Sequence, residues 1–331
     1  MARERDASRL DEDDVRVRPG RGTRPRSKQR PAHDEASEGM VVTVDRGRYT
    51  VLVGDIAVTA MRARELGRKN IAVGDRVSVV GDRTGVTDAL ARVVRIAERR
   101  TVLRRTADDS DPYERVIVAN ADQLVIVTAL ADPEPSYGLI DRCLVAALTA
   151  GLEPLLCLTK SDLAGPGATL ERYAALELPS VVTHRGGPLD ELVERLRGQV
   201  SVLVGHSGVG KSTLINALVP EAHRTTGVVS AIGKGRHTST SVLALPLPDD
   251  DGWVIDTPGL RSFGLAHVTA DDLLWAFPDL EDGAVQCPPS CEHLATDAGC
   301  HLDAWVAAGH ATDARLAAFR RLLTSRAGAE H

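Results

Sequence analysis

The sequence predicts an α/β domain built on a parallel sheet, with a small antiparallel barrel ahead of it and a metal-bound helical unit behind it. Three observations carry this reading. Apolar residues alternate with period two from Met40; strand-length apolar runs alternate with amphipathic helices after Arg105; and three cysteines with a histidine crowd into residues 287–300.

With 331 residues, 43% of them apolar and 26% charged, the chain can bury a full core and is long enough for two or three units. No apolar run approaches the roughly 18 to 20 residues of a membrane span, and the N-terminus is charged where a secretory signal would be apolar. A cytoplasmic chain without membrane contact is expected. Cys143 and Cys157 sit among apolar residues and read as core, and the cysteine usage fits a reducing compartment.

The net charge of −6 disguises an asymmetry. Residues 39–106 hold 14 Lys or Arg against 7 Asp or Glu, and residues 107–331 hold 16 against 30. A basic module beside an acidic body is the electrostatic footprint of a phosphate-backbone partner. Residues 1–38 lack apolar periodicity and include the Pro-spaced basic tract "RPGRGTRPRSKQR", so they are expected to be a disordered charged tail, either a solubilising segment or a tether to RNA.

Residues 39–105 come next. "MVVTV", the turn "DRGR", "YTVLV", "AVGDRVSVV" and "LARVVRI" read as short strands of a barrel of about five, for which an RNA-binding OB-fold is the natural candidate. Tyr49 is the only aromatic in this module, so binding is expected through Arg and Lys rather than base stacking. A barrel that merely braces its neighbour is the plain alternative.

Residues 106–264 alternate strands and helices. "QLVIVTAL", "PLLCLTK", "SVLVG" and "GWVIDTPG" are buried strands, with helices in "DRCLVAALTAG", "LDELVERLRG" and "KSTLINAL". The run Gly205, His206, Ser207, Gly208, Val209, Gly210, Lys211, Ser212, Thr213 is a phosphate loop in its required strand-loop-helix context. Its backbone N–H groups would wrap a β-phosphate, Lys211 would reach the β- and γ-phosphates, and Ser212 would hold Mg²⁺. "DTPG" places Asp256 to orient Mg²⁺ through water and the Gly259 N–H to meet the γ-phosphate. The tetrad Thr159, Lys160, Ser161, Asp162 selects the base, because the Asp162 carboxylate can accept the N1–H and N2–H₂ of guanine, which adenine does not offer. Thr159 stands where many such proteins carry Asn, which leaves open how the tetrad is braced. "VTH", residues 182–184, falls where a loop backing the base belongs.

The base-reading tetrad precedes the phosphate loop, the reverse of the usual cycle. This order predicts a circularly permuted GTPase domain, whose DTPG end feeds directly into residues 265–331. There "CPPSCEHLATDAGC" offers Cys287, Cys291, His293 and Cys300, the composition of a closed, structural zinc site, although its first gap is short. "TDARLAAFRRLL" then reads as a helix capped by Thr312 with Leu316, Phe319 and Leu323 on one face.

In this order of parts, carried by the barrel, "VIVANADQLVIVTAL", "TKSDL", "GHSGVGKSTLINAL", "GKGRHTST", "IDTPGLRSFGL" and the Cys/His cluster, the chain resembles the circularly permuted, ribosome small-subunit-dependent GTPases. The resemblance implies a late factor in small-subunit maturation that binds the 30S particle and its 16S rRNA, hydrolyses GTP to GDP and phosphate when stimulated by it, and is released. It also implies one structural Zn²⁺, Mg²⁺ with GTP, and a monomer. Within "GRHTST" it points to His237 as the group acting on water, and to either Thr238 or Thr240 as the switch threonine completing the Mg²⁺ site. Leu260 stands where Ras-like enzymes have a water-orienting Gln, so another group or an activator must supply that role. Two other classes stay open: a GTP-dependent RNA-binding module with incidental hydrolysis, and a zinc-handling GTPase.

Overall fold

The computed structural model describes residues 33–67, 69–86, 89–105, 115–220, 242–258, 263, 265, 268–297 and 299–326. Residues from Glu35 onward form one body. The charged tail read from residues 1–38 lies outside the described residues up to residue 32; at its end Ser37 and Glu38 are not tail but already pair as strand, so the barrel begins two residues earlier than the sequence pattern suggests. Among the described residues, no helix is long and apolar enough to cross a membrane.

Five strands close a barrel: β1 (Ser37–Asp45), β2 (Arg48–Val53), β3 (Ile56–Arg62), β4 (Arg76–Gly81) and β5 (Ala91–Ile96). Their pairing runs β1-β2-β3-β5-β4 and back to β1, parallel only between β3 and β5. The period-two alternation puts Val41, Val51, Val58, Val77, Val79 and Val93 into the barrel core. The β1–β2 turn places both Arg46 and Gly47 at positive φ (44° and 83°), the geometry whose twist matches two strands joined by two residues.

A two-stranded ribbon, β6 (Val102–Arg105) with β7 (Arg115–Ala119), leads into the large sheet. That sheet and its helices follow in chain order as β8 (Gln123–Ala129), α1 (Tyr137–Thr149), β9 (Glu153–Thr159), α2 (Gly167–Tyr173), β10 (Ser180–Val182), α3 (Asp190–Leu196), β11 (Val200–Val204), α4 (Lys211–Leu218), β12 (Leu243–Pro246) and β13 (Trp253–Asp256). In space the order is β10-β9-β8-β11-β13-β12, all parallel except β12. The chain thus enters mid-sheet at β8, fills one side out to β10, and returns to β11 to fill the other. This is the permutation expected from motif order, and it leaves the loops after β9, β11 and β13 at neighbouring carboxyl ends, where open α/β sheets bind ligands. Cys143 and Cys157 are buried, and burial in apolar surroundings pushes both thiols up to about 12.

Barrel and large sheet are one continuous array, because Thr43 of β1 also pairs with Leu243 of β12. β1 serves two cores, with Val41 inside the barrel and Met40 and Val42 in the main core. The junction is closed by buried polar contacts. Asn120 Nδ2 donates to the Gly74 carbonyl at 3.0 Å, and its Oδ1 accepts the Arg100 N–H at 2.9 Å. A Cβ at Gly74 would lie 2.0 Å from the Ala119 carbonyl oxygen, so only glycine fits that approach. Arg99 forks onto the fully buried Asp75 at 2.7 and 2.8 Å, a geometry that satisfies both charges.

Beyond β13 come α5 (Ala270–Leu274), α6 (Pro278–Ala284), α7 (Leu302–Ala307) and α8 (Asp313–Arg326). Thr269 and Asp272 form a capping box on α5, and the Thr312 hydroxyl accepts the Arg315 N–H at 3.1 Å, as its sequence position suggests. α8 packs on α1 and buries Leu316, Phe319 and Leu323. Arg321 reaches the buried Asp141 of α1 at 3.2 Å; burial raises the Asp141 pKa, opposed by Arg321 and Arg172.

Candidate functional site

The phosphate loop leaves the end of β11 beneath β8. A Cβ at Gly205 would meet the Val127 carbonyl oxygen at 2.4 Å, and Gly208 and Gly210 take φ of 84° and 93°, so the loop's path depends on all three glycines. His206, Ser207, Ser212 and Thr213 are exposed along the loop and the first turn of α4, while Val209 anchors it in the core. Lys211 is engaged within the protein, its ammonium donating to the Asp256 carboxylate and lying 3.3 Å from the Thr257 carbonyl. The Thr257 hydroxyl donates to the Leu203 carbonyl at 2.8 Å, tying the end of β13 to β11.

The base-reading tetrad sits at the end of β9. The buried Thr159 hydroxyl lies 2.6 Å from the Val209 carbonyl and 3.2 Å from that of Thr128. A threonine here therefore ties the tetrad to the phosphate loop by one short hydrogen bond. Lys160, at φ 57°, donates to the Asp132 carbonyl, and the Ser161 N–H bonds the Thr183 carbonyl at 3.2 Å. Asp162 is exposed in the turn that follows. Between tetrad and α4 opens a cavity of 340 Å³ lined in part by Thr159, Lys160, Thr183, His184, Arg185 and Thr213. That volume is within the roughly 300–1,000 Å³ of small-ligand sites. Arg185 carries no motif and was not legible as a lining residue; its only signal is that it follows "VTH".

Structure thus brings together Thr159, Lys160, the Gly205–Thr213 loop and Asp256. His237, Thr238, Thr240, Gly259 and Leu260 lie outside the described residues.

In the C-terminal unit the donor atoms of Cys287, Cys291, His293 and Cys300 all lie within 4.8 Å of one another. Ligands about 2.3 Å from a tetrahedral zinc would be about 3.8 Å apart, so a small contraction closes the site. The short first gap is spanned by a turn in which Ser290 takes φ 64° and the Cys291 N–H bonds the Pro288 carbonyl at 3.2 Å. The His301 and His293 N–H groups point at the Cys287 and Cys291 sulfurs at 3.2 and 3.4 Å. His293 is buried, which holds its imidazole below the ordinary pKa; its Nδ1 lies 4.0 Å from Cys300 Sγ and its Nε2 3.9 Å from the Asp271 carboxylate. Nδ1 is thus the nitrogen on the side of the cysteines, while Nε2 faces the carboxylate beyond hydrogen-bond distance. Four protein ligands leave no position for water, so a zinc here stabilises rather than reacts. Elemental analysis is expected to find one zinc per chain, and Cys291→Ser to lose it and become protease-sensitive beyond residue 268 while still binding nucleotide, because structural zinc contributes about 10 kcal/mol or more to folding. Full protease resistance there in metal-free protein would contradict a structural role.

The RsgA GTPase family model matches residues 96–266. The chain is 37% identical over 308 residues to the small ribosomal subunit biogenesis GTPase RsgA of Chlorobaculum tepidum, covering 88% of this chain and 98% of that protein. It is 36% identical over 320 residues to the protein of the same name from Paraburkholderia xenovorans, covering 91% and 97%. Among solved structures, YjeQ from Thermotoga maritima aligns with a TM-score of 0.64 at 27% identity, covering 89% of this chain and 99% of that one. YloQ, described as a circularly permuted GTPase, agrees in fold at a TM-score of 0.62 and 24% identity, covering 90% and 97%. With the permuted strand order, the closed barrel and the Cys/His cluster all in one body, this chain belongs to the RsgA GTPase family.

Proposed function

We propose that this chain is a monomeric, cytoplasmic GTPase that acts in late maturation of the small ribosomal subunit, binds its 16S rRNA, hydrolyses GTP when docked, and is then released. The observation that carries this is the convergence of TKSD, the phosphate loop and DTP at neighbouring strand ends, in one body with a basic barrel. The names of the relatives support the subunit as partner. Residues 37–105 act as the RNA-contacting barrel, 106–264 as the hydrolytic domain, 265–331 as the zinc-stabilised unit, and the residues before 37 as a charged tether.

Each site residue then has a role. Asp162 reads guanine and Lys160 lays its stem along the base, while Thr159 and Ser161 hold that turn. Backbone N–H groups from Gly205 to Thr213 cradle the phosphates, Lys211 neutralises charge between the β- and γ-phosphates, and Ser212 and Asp256 are the residues that would hold Mg²⁺. The ion supplies charge neutralisation across the phosphates. Gly259 meets the γ-phosphate, Thr238 or Thr240 completes the Mg²⁺ site, and His237 acts on water, so His237→Ala slows hydrolysis with GTP binding retained.

Asp162→Asn presents an amide N–H₂ where guanine also has a donor, whereas xanthine has a carbonyl. Preference is therefore expected to move from GTP toward XTP; unchanged GTP affinity would remove guanine from the assignment. The experiment for the whole reading is GTP turnover with and without purified small subunits. No stimulation would leave only the incidental-hydrolysis alternative.

A further inference from the structure

A second cavity, of 450 Å³, opens at the other end of β13 from the nucleotide loops, between the barrel wall and Trp253. Its lining includes Glu38, Leu52, Arg76, Ser78 and Arg95. Pairing registers explain the set. Ser78 of β4 stands opposite Glu38 of β1 and Arg95 of β5, and Arg76, two residues from Ser78, shares its face. While Val77 and Val79 point into the barrel core, these polar residues form a row on its outer wall. Trp253, at the first position of β13 between Val200 and Pro246, faces that row half-buried.

Among the described residues neither Arg76, Arg95 nor Glu38 is in an ion pair, so the cavity that Trp253 lines also presents two guanidiniums and a carboxylate with their charges available. The barrel's own aromatic, Tyr49, is only 7% exposed and cannot stack on a ligand. Trp253 therefore supplies what the barrel lacks. An aromatic face, two cations and one acceptor match one chemical class, an unpaired nucleotide of RNA: base on the indole, exocyclic amine to Glu38, phosphate to the guanidiniums. The excess of seven positive charges across residues 39–106 favours RNA over an acidic peptide, because it spreads over the whole module as a phosphate backbone requires.

We propose that this cavity is a subsite for one unstacked RNA nucleotide, read by Trp253, Arg76, Arg95 and Glu38. The inference rests on RNA being the barrel's partner and adds stacking to a module whose sequence suggests phosphate contact alone.

The test is anisotropy of fluorescein-labelled octaadenylate with the full chain. Trp253→Leu is expected to weaken binding about tenfold, within the range for stacking one base, and Trp253→Phe to keep most of it. Arg76→Ala and Arg95→Ala are each expected to weaken binding and to reduce the slope of log affinity against log salt by about 0.7. GTP turnover without subunits should be unchanged in all four variants. Wild-type affinity in Trp253→Leu, equal competition by duplex RNA, or displacement by hexaglutamate with octaadenylate ineffective would each overturn the proposal. Subunit-stimulated turnover of the wild type, measured in parallel, separates the two readings: its absence removes the ribosomal role, while the oligonucleotide results decide the subsite.

Discussion

Replacing Lys211 by alanine is expected to lower GTP turnover at least about a hundredfold, the smaller effect seen when one preorganised donor to transition-state charge is removed. The structure adds a second consequence. The Lys211 ammonium is held by Asp256 and the Thr257 carbonyl, so a triphosphate that engages this lysine competes with the carboxylate for it. That exchange leaves Asp256 available at the end of β13, where the proposal needs it for Mg²⁺. An alternative in which Lys211 only braces β13 predicts something different: a lower melting temperature with turnover nearly intact. The pair is largely buried, with Lys211 12% and Asp256 22% exposed, so removing the lysine leaves a carboxylate without its partner and lowers the melting temperature under either reading, and turnover decides between them. Turnover within threefold of wild type would remove Lys211 from the chemistry.

Small ribosomal subunits are expected to raise turnover by about 10³ to 10⁵ over the free protein. The reason is local, since Leu260 cannot orient water, so the group that does so has to be supplied or brought into place on docking. Docking through the basic barrel makes the effect electrostatic, so stimulation should fall steeply as salt passes through the physiological range. Deleting the barrel is a poor test, because removing β1 strips Met40 and Val42 from the main core and the partner from β12. Charge reversal at the exposed Arg46, Arg48 and Arg92 leaves those contacts in place and is expected to cost most of the stimulation with intrinsic turnover unchanged. Equal stimulation of that variant, or equal effect of large subunits, would take the barrel out of docking.

The chemistry of this chain was legible from short runs because its ligands are small. A phosphate needs consecutive N–H groups with a lysine after them, and a zinc needs four donors that here fall within 14 residues, from Cys287 to Cys300. Motif order then implied the permuted sheet, since a fixed cycle of strand ends can be cut at only a few loops. β10 and β12 were harder to read: three or four residues of strand carry too little periodicity, and their identity comes from their neighbours in the sheet. The bond from Thr159 to Val209 joins residues 50 apart, and it supplied the brace that the local sequence left open. The meeting of Trp253 and Arg76 on one cavity, the sharing of β1 between two cores and the grip of Arg321 on Asp141 likewise join segments distant in the chain. Local patterns report what a residue can bond within a few positions. Which distant surfaces meet depends on how the apolar faces of all the elements are buried at once, and for that the chain had to be folded.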